Sequence, residues 1–225
     1  MLVHLLATQG RACLERLVGM FAFAAWDTRE RSLLLVRDRL GIKPLYYQLL
    51  PDGIAFASEL KALLVLGSGP DSGLGVGQPQ IDHGAVRDFL FHGYIPAPKT
   101  IYRGIAKLPA GHTLTWKEGR VRIERYWHPS TAIVARSAHE TVQGLDALLR
   151  TVVPEHTLSD VPVGVFLSGG IDSALTAYYL DKPRTYTLGF DGGARSANLE
   201  YITINASFGS SLLKINSGTR SRILG

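Results

Sequence analysis

Ser168, Gly169, Gly170, Ile171, Asp172 and Ser173 stand between an uninterrupted apolar run, residues 163–167, and a stretch with helix-forming composition, residues 174–180. A buried strand, a glycine turn and a helix start together make a place to hold phosphate. Backbone N–H groups at such a turn converge on one spot, and the helix dipole favours negative charge there. Gly169 and Gly170 lack the Cβ atoms that would block close approach. Ser168 and Ser173 add hydroxyl donors. Asp172 repels bare phosphate, so its presence points to a bridging cation such as Mg²⁺. A second role for Asp172, a first-turn carboxylate complementing the helix dipole, is compatible with the first.

The chemistry differs from that of a Walker-type loop. That pattern requires a Gly-Lys dipeptide, and the chain has none. Its lysine reaches the β- and γ-phosphates and suits γ-phosphoryl transfer. A loop of amides, small hydroxyls and one carboxylate suits a pyrophosphate with its metal.

The elements that must position this loop follow from periodicity. A continuous apolar strand is expected inside a parallel sheet covered on both faces. Residues 184–190 read as the next parallel strand, which completes a β–α–β unit with its ligand site at the carboxyl end of the first strand. Ahead of it, Ser137 and Glu140 make a capping box for a helix whose apolar stripe is Val142, Leu145, Leu148, Leu149 and Val152. Pro154 sits near that helix's end.

The earlier residues have a different rhythm. Residues 2–18 read as a helix that Gly10 interrupts. Residues 20–26 with 33–36, 45–50 with 54–57, and 113–116 with 121–127 read as three hairpins, which places Trp116, Tyr126 and Trp127 on strands. Residues 59–66 and 82–92 read as helices, the second capped by Asp82. Residues 67–79, rich in glycine, serine and proline, read as a loop. The charge cluster Arg37-Asp38-Arg39 reads as a structural ion pair at a strand end or a domain contact.

At residues 168–173 the chain resembles the pyrophosphate loop of the N-type ATP pyrophosphatases. The lead-in at 159–167, S-D-V-P-V-G-V-F-L, narrows the resemblance to the glutamine-dependent asparagine synthetases. Residues 19–27 (G-M-F-A-F-A-A-W-D), 37–47 (R-D-R-L-G-I-K-P-L-Y-Y) and 57–63 (A-S-E-L-K-A-L) resemble that family's glutaminase domain. Residues 93–98 (G-Y-I-P-A-P) and 107–112 (K-L-P-A-G-H) resemble its bacterial branch. The resemblance covers residues 1–194 in family order.

It implies an α+β fold followed by an α/β fold. Residues 1–128 would be the back part of an Ntn-type glutaminase layer, an antiparallel sheet with helices. Residues 129–136 would be a linker. Residues 137–194 would begin an adenine-nucleotide α-hydrolase-like parallel domain, and 195–225 form a divergent tail. It also implies ATP and Mg²⁺ as cofactors and aspartate as acceptor. Ser168, Gly169, Gly170, Asp172 and Ser173 would hold the pyrophosphate, with Asp172 at the metal. Leu167 and Leu188 would contact the nucleotide. A homodimer in the cytoplasm is compatible with this reading.

The family's glutaminase nucleophile is a cysteine at the mature N-terminus, and this chain begins Met1-Leu2-Val3. The expectation is a fragment that lacks that cysteine and most of the synthetase domain, and is inactive as it stands. The single cysteine, Cys13, reads as a small buried hydrophobe. Two other readings remain: a related carboxylate-activating amidotransferase, β-lactam synthetase-like or polysaccharide-linked, or a non-catalytic nucleotide-binding partner module.

Composition excludes several classes. The net charge of +5 over 225 residues sits mostly in the tail, where Arg195, Lys214, Arg220 and Arg222 face only Glu200. That is no nucleic-acid footprint. One cysteine excludes an internal disulfide and fits a reducing cytosol. No run approaches the ~18 apolar residues of a membrane span. The seven histidines lack zinc-ligand spacing, and no G-x-S-x-G elbow is present.

Overall fold

A computed structural model describes residues 1–66 and 80–190, with the backbone alone at 66, 188–190, 210–215 and 222–223. The loop expected at 67–79, most of the tail and the side chain of Leu188 lie outside the described residues. The chain divides into two compact units, Met1–Ala132 and Ile133–Gly225.

The first unit starts with helix α1 (Leu2–Gln9). Gly10, at φ 57°, breaks it, and the chain continues as a 3₁₀ helix over Gly10–Arg16. Strands β1 (Ala22–Asp27) and β2 (Ser32–Arg37) form the first hairpin, and β3 (Tyr46–Leu50) and β4 (Gly53–Ala57) the second. Helices α2 (Leu60–Leu66) and α3 (His83–His92) follow. The Asp82 side chain accepts from the N–H groups of Gly84 (2.8 Å) and Ala85 (3.3 Å), the expected cap. Strand β5 (Ile105–Lys107) was not foreseen, because three residues are too few to display a period of two. β6 (His112–Lys117) and β7 (Arg120–Arg125) form the third hairpin. β7 ends at Arg125, so Tyr126 and Trp127 lie beyond the strand that was expected to hold them.

These strands make two antiparallel sheets, ordered β1-β2-β6-β7 and β4-β3-β5. Period-two alternation on β2 sorts its side chains into two cores. Leu33 and Leu35 turn one way and meet Leu114, Leu45, Tyr47 and Leu108, which closes sheet on sheet. Leu34 and Val36 turn the other way with Phe21 and Phe23, against Cys13 and Leu14 of the 3₁₀ helix. The result is a helix layer on two stacked antiparallel sheets, compatible with an Ntn-type glutaminase layer. Each fully buried leucine here contributes roughly 1.5–3 kcal/mol.

Asp38 is 1% exposed, and its partners are backbone amides where an ion pair was expected. Its carboxylate accepts from the N–H groups of Leu40 (3.1 Å), Ile42 (3.0 Å) and Lys43 (2.9 Å). Burial alone would raise its pKa. The amides of Lys43, Ile42, Leu40 and Gly41 outweigh that and hold it below the usual carboxylate range. Arg37 turns away and donates to the carbonyls of Lys43, Leu108 and Gly41. Carboxylate and guanidinium thus each satisfy one side of the same backbone loop.

In the second unit, helix α4 (Ala138–Glu155) begins at the expected capping box. The Ser137 hydroxyl accepts from Glu140 N–H, and the Glu140 carboxylate accepts from Ser137 N–H at 2.8 Å. Pro154 falls in its last turn. Its apolar stripe is not buried as expected: Val142, Leu145 and Leu148 are exposed, and the helix has no buried residue. Strand β8 (Gly164–Phe166), helix α5 (Ile171–Tyr178) and strand β9 (Arg184–Phe190) form the expected β–α–β unit, with β8 parallel to β9. The backbone of β10 (Ser210–Ile215) runs parallel to β9, and β11 (Arg222–Ile223) pairs antiparallel with β10.

Two expectations for this unit are corrected. β8 is not covered on both faces, since Phe166 is 73% exposed while Val165 is half-buried. Helix α5 begins at Ile171 and not at residue 174, because Gly170 in an extended conformation lets its carbonyl accept Ala174 N–H at 3.1 Å. Asp172 and Ser173 are therefore first-turn residues of the helix.

Candidate nucleotide-binding site

The ladder between β8 and β9 carries one residue past β8. Leu167 N–H donates to Tyr186 C=O at 2.8 Å, and the Thr187 hydroxyl donates to Leu167 C=O at 2.8 Å. Leu167 is buried, and both of its backbone groups are spent on the neighbouring strand. The chain then leaves the sheet at Ser168. Gly169 takes φ 77°, a left-handed conformation that a side chain disfavours. Gly170 returns to φ −82°, ψ 160° and opens α5.

The Ser173 hydroxyl organises the turn. It accepts from Ser168 N–H at 3.2 Å, lies 3.1 Å from the Ser168 hydroxyl, and donates to Gly170 C=O at 3.0 Å. A first-turn side chain thus reaches back and ties the helix start to the strand end. No side chain caps α5, because the N-cap residue is glycine. The N–H groups of the helix's first turn, which have no intrahelical acceptors, are left for an outside anion. The turn is exposed from Ser168 to Asp172. Leu167, Ser168, Gly169, Gly170, Asp172 and Ser173 therefore come together in one bend. Leu188 follows Thr187 in the backbone of β9.

Asp172 brings a carboxylate to the exposed start of the helix. Among the described residues no group of three His, Cys, Asp or Glu side chains forms a metal site. A lone carboxylate beside a phosphate loop still fits Mg²⁺, which binds through one or two carboxylates together with substrate phosphates and water.

Residues that the sequence reading missed support this bend. Gly164 has no room for a side chain, since a Cβ there would lie 2.3 Å from the Tyr186 ring. Thr185 and Thr187 share one face of β9 and are both buried. The T-x-T spacing displays that shared face, but not which strand the hydroxyls meet. The Thr185 hydroxyl has no partner and lines a cavity of about 390 Å³ along α5 with Leu167, Ala174, Leu175 and Tyr178. At its far end α5 is clamped to α4. Tyr179 donates to Asp146 at 2.8 Å, and Arg150 grips the same carboxylate at 2.8 and 3.2 Å. Those bonds, first from Arg150 and then from Tyr179, hold the Asp146 pKa below its usual range.

In the first unit Cys13 is fully buried between Leu14 and Val36. It is packing, as expected, and has no polar group arranged to activate it.

Comparison with known proteins gives this geometry a class. Residues 1–127 match the family described as glutamine amidotransferase domain, and residues 144–207 match asparagine synthase. The chain belongs to the glutamine amidotransferase domain family, joined to a segment of the asparagine synthase family. A Mycobacterium tuberculosis protein named "Putative asparagine synthetase (glutamine-hydrolyzing)" is 38% identical over 193 residues, covering 81% of this chain and 28% of its own. Asparagine synthetase (glutamine-hydrolyzing) 3 of Bacillus subtilis is 36% identical, covering 73% of this chain and 26% of its own. A Penicillium rubens protein named amidase chyE is 31% identical, covering 87% of this chain and 28% of its own. This chain therefore spans between a quarter and a third of the length of these relatives. No helix among the described residues is long and apolar enough to cross a membrane.

Proposed function

We propose that the second unit holds the pyrophosphate portion of ATP for an asparagine synthetase reaction. In that reaction a side-chain carboxylate oxygen of aspartate attacks the α-phosphorus of ATP, and the bond to the β-phosphate oxygen breaks. Pyrophosphate leaves, ammonia derived from glutamine attacks the acyl adenylate, and AMP departs. Charge builds on the leaving pyrophosphate, so fixed donors aimed at it lower the barrier.

The observation that carries this reading is the bend itself. A left-handed Gly169, an uncapped helix start at Gly170 and two serine hydroxyls sit together at the carboxyl end of a parallel strand. In our reading the first-turn amides and the hydroxyls of Ser168 and Ser173 bind the β- and γ-phosphates, and Gly169 and Gly170 give them room. Asp172 takes the Mg²⁺ that travels with the nucleotide, a cation that neutralises developing phosphate charge. Leu167 and Leu188 flank the rest of the nucleotide. We place the reaction in the cytoplasm.

A related carboxylate-activating amidotransferase is the second reading. It is favoured by the amidase-named relative, which matches the largest share of this chain among the three described. Both readings share the phosphate site and differ in the acceptor.

Titration of Mg·PPi and Mg·ATP into the folded 225-residue chain tests the site. Heat of binding and a raised melting temperature are expected from both. Neither signal from a folded sample overturns the proposal. Glutamate release from glutamine is not expected from this polypeptide, because its one thiol is sealed in a core.

A further inference from the structure

The first sheet has two edges, β1 and β7, and their chemistry differs. β7 carries Arg120, Arg122 and Arg125 within six residues. Charge along an edge is a common protection against unwanted strand pairing. Residues 20–26, which contain β1 up to Trp26, have neither charge nor proline. Among the described residues no strand pairs with the outer side of β1.

The outward groups can be assigned. Asp38 N–H donates to Phe21 C=O at 2.8 Å, and the register continues as Ala22↔Arg37 and Phe23↔Val36. In an antiparallel ladder, residues 21, 23 and 25 then bond to β2, and Ala22, Ala24 and Trp26 turn their N–H and C=O outward. Trp26 is 52% exposed, and Ala24 is exposed.

We propose that two copies of this chain pair edge to edge through β1, about a twofold axis at Ala24. An axis perpendicular to the sheet preserves its faces, so only residues of the same parity oppose one another. Centred on Ala24, Trp26 of each copy lies opposite Ala22 of the other, and Phe23 lies opposite Ala25. Large meets small on both faces. The three outward residues become hydrogen-bonded pairs, with about six inter-chain backbone bonds. A centre at Ala25 is poorer, because it sets Phe23 opposite Asp27, whose carboxylate is already held by the N–H groups of Arg29 and Glu30. The pairing is independent of nucleotide binding and goes beyond it.

Sedimentation or light scattering of the full chain tests the pairing. The parent is expected at twice its 24.5 kDa mass at micromolar concentration. Ala24→Glu and Ala24→Lys each place like charges opposite each other at the axis. Each is expected to halve that mass while leaving the circular dichroism unchanged. Mixed in equal amounts, the two variants are expected to regain the doubled mass, because opposite charges then meet. The proposal fails if the parent stays single, if it grows beyond two copies, if either variant alone stays paired, or if the mixture stays single. Another exposed apolar patch, Phe89, Phe91 and Tyr94 around the end of α3, is the internal control. Loss of pairing in Phe91→Ser would move the interface there and overturn the assignment to β1.

Discussion

Gly170→Ala separates room for the chain from room for a ligand. Gly170 lies at φ −82° and ψ 160°, backbone that any residue adopts. A Cβ there would meet only the Ser168 hydroxyl at 3.5 Å, an ordinary contact. Replacing glycine by alanine lowers the entropy of the unfolded chain and stabilises by about 0.4–1 kcal/mol where the backbone allows it. Alanine is a poorer N-cap than glycine by roughly a similar amount. The two nearly cancel, so the melting temperature should barely move. A phosphate on the first-turn amides must approach to hydrogen-bond distance, and the new methyl group occupies part of that space. Loss of one charge-assisted bond costs about 1.5–3 kcal/mol, which weakens binding on the order of 10- to 150-fold. Gly169→Ala is the contrast. At φ 77° its cost falls on the fold itself, about 1–2 kcal/mol. Thermal melts and Mg·PPi titrations on the parent and both variants make the comparison. A Gly170→Ala chain that binds Mg·PPi with parental affinity refutes the placement of phosphate at this helix start. A Gly170→Ala chain that melts far below the parent refutes the loop geometry.

Acidification should expose the role of Asp38, whose folded pKa lies below its unfolded value near 3.9. Its contribution is present above that unfolded value and is lost as pH falls through the folded one. Asp38→Asn should lower stability at neutral pH by about 2–4 kcal/mol, through mispaired amides, and flatten the acid limb of a denaturant-midpoint profile. An unchanged acid limb would show that Asp38 is not the titrating group. Gly111→Ala should be more severe, because Gly111 has φ 66° and a Cβ there would lie 2.6 Å from the Trp127 carbonyl. Chemical denaturation is expected to show a loss of roughly 3 kcal/mol or more, and a near-parental midpoint would contradict the packing of residues 110–127.

What could be read in advance, and what could not, divides by the range of the interaction. The three hairpins, the Asp82 cap and the Ser137–Glu140 box are local, and the residues that make them are neighbours in the chain. Pairing of β2 with β6 joins residues about eighty positions apart, and nothing in either strand names the other. β5 is a strand only because β3 offers it an edge. Asp38 shows the same limit at one residue. Its neighbours Arg37 and Arg39 suggest an ion pair, but sequence carries no record of where backbone amides will converge, and three of them outbid the arginines. The phosphate bend was legible for the converse reason. Its chemistry needs small residues, hydroxyls and a carboxylate in a fixed local order, so side-chain types alone reveal it. Its supports were hidden, because the Thr187 hydroxyl reaches Leu167 only once β9 lies in register beside β8. A bend written locally but braced from a neighbouring strand should lose ligand affinity before it loses shape when Thr187 is changed. The brace acts on the Leu167 carbonyl, while the Ser168–Ser173 contacts that shape the turn stay intact.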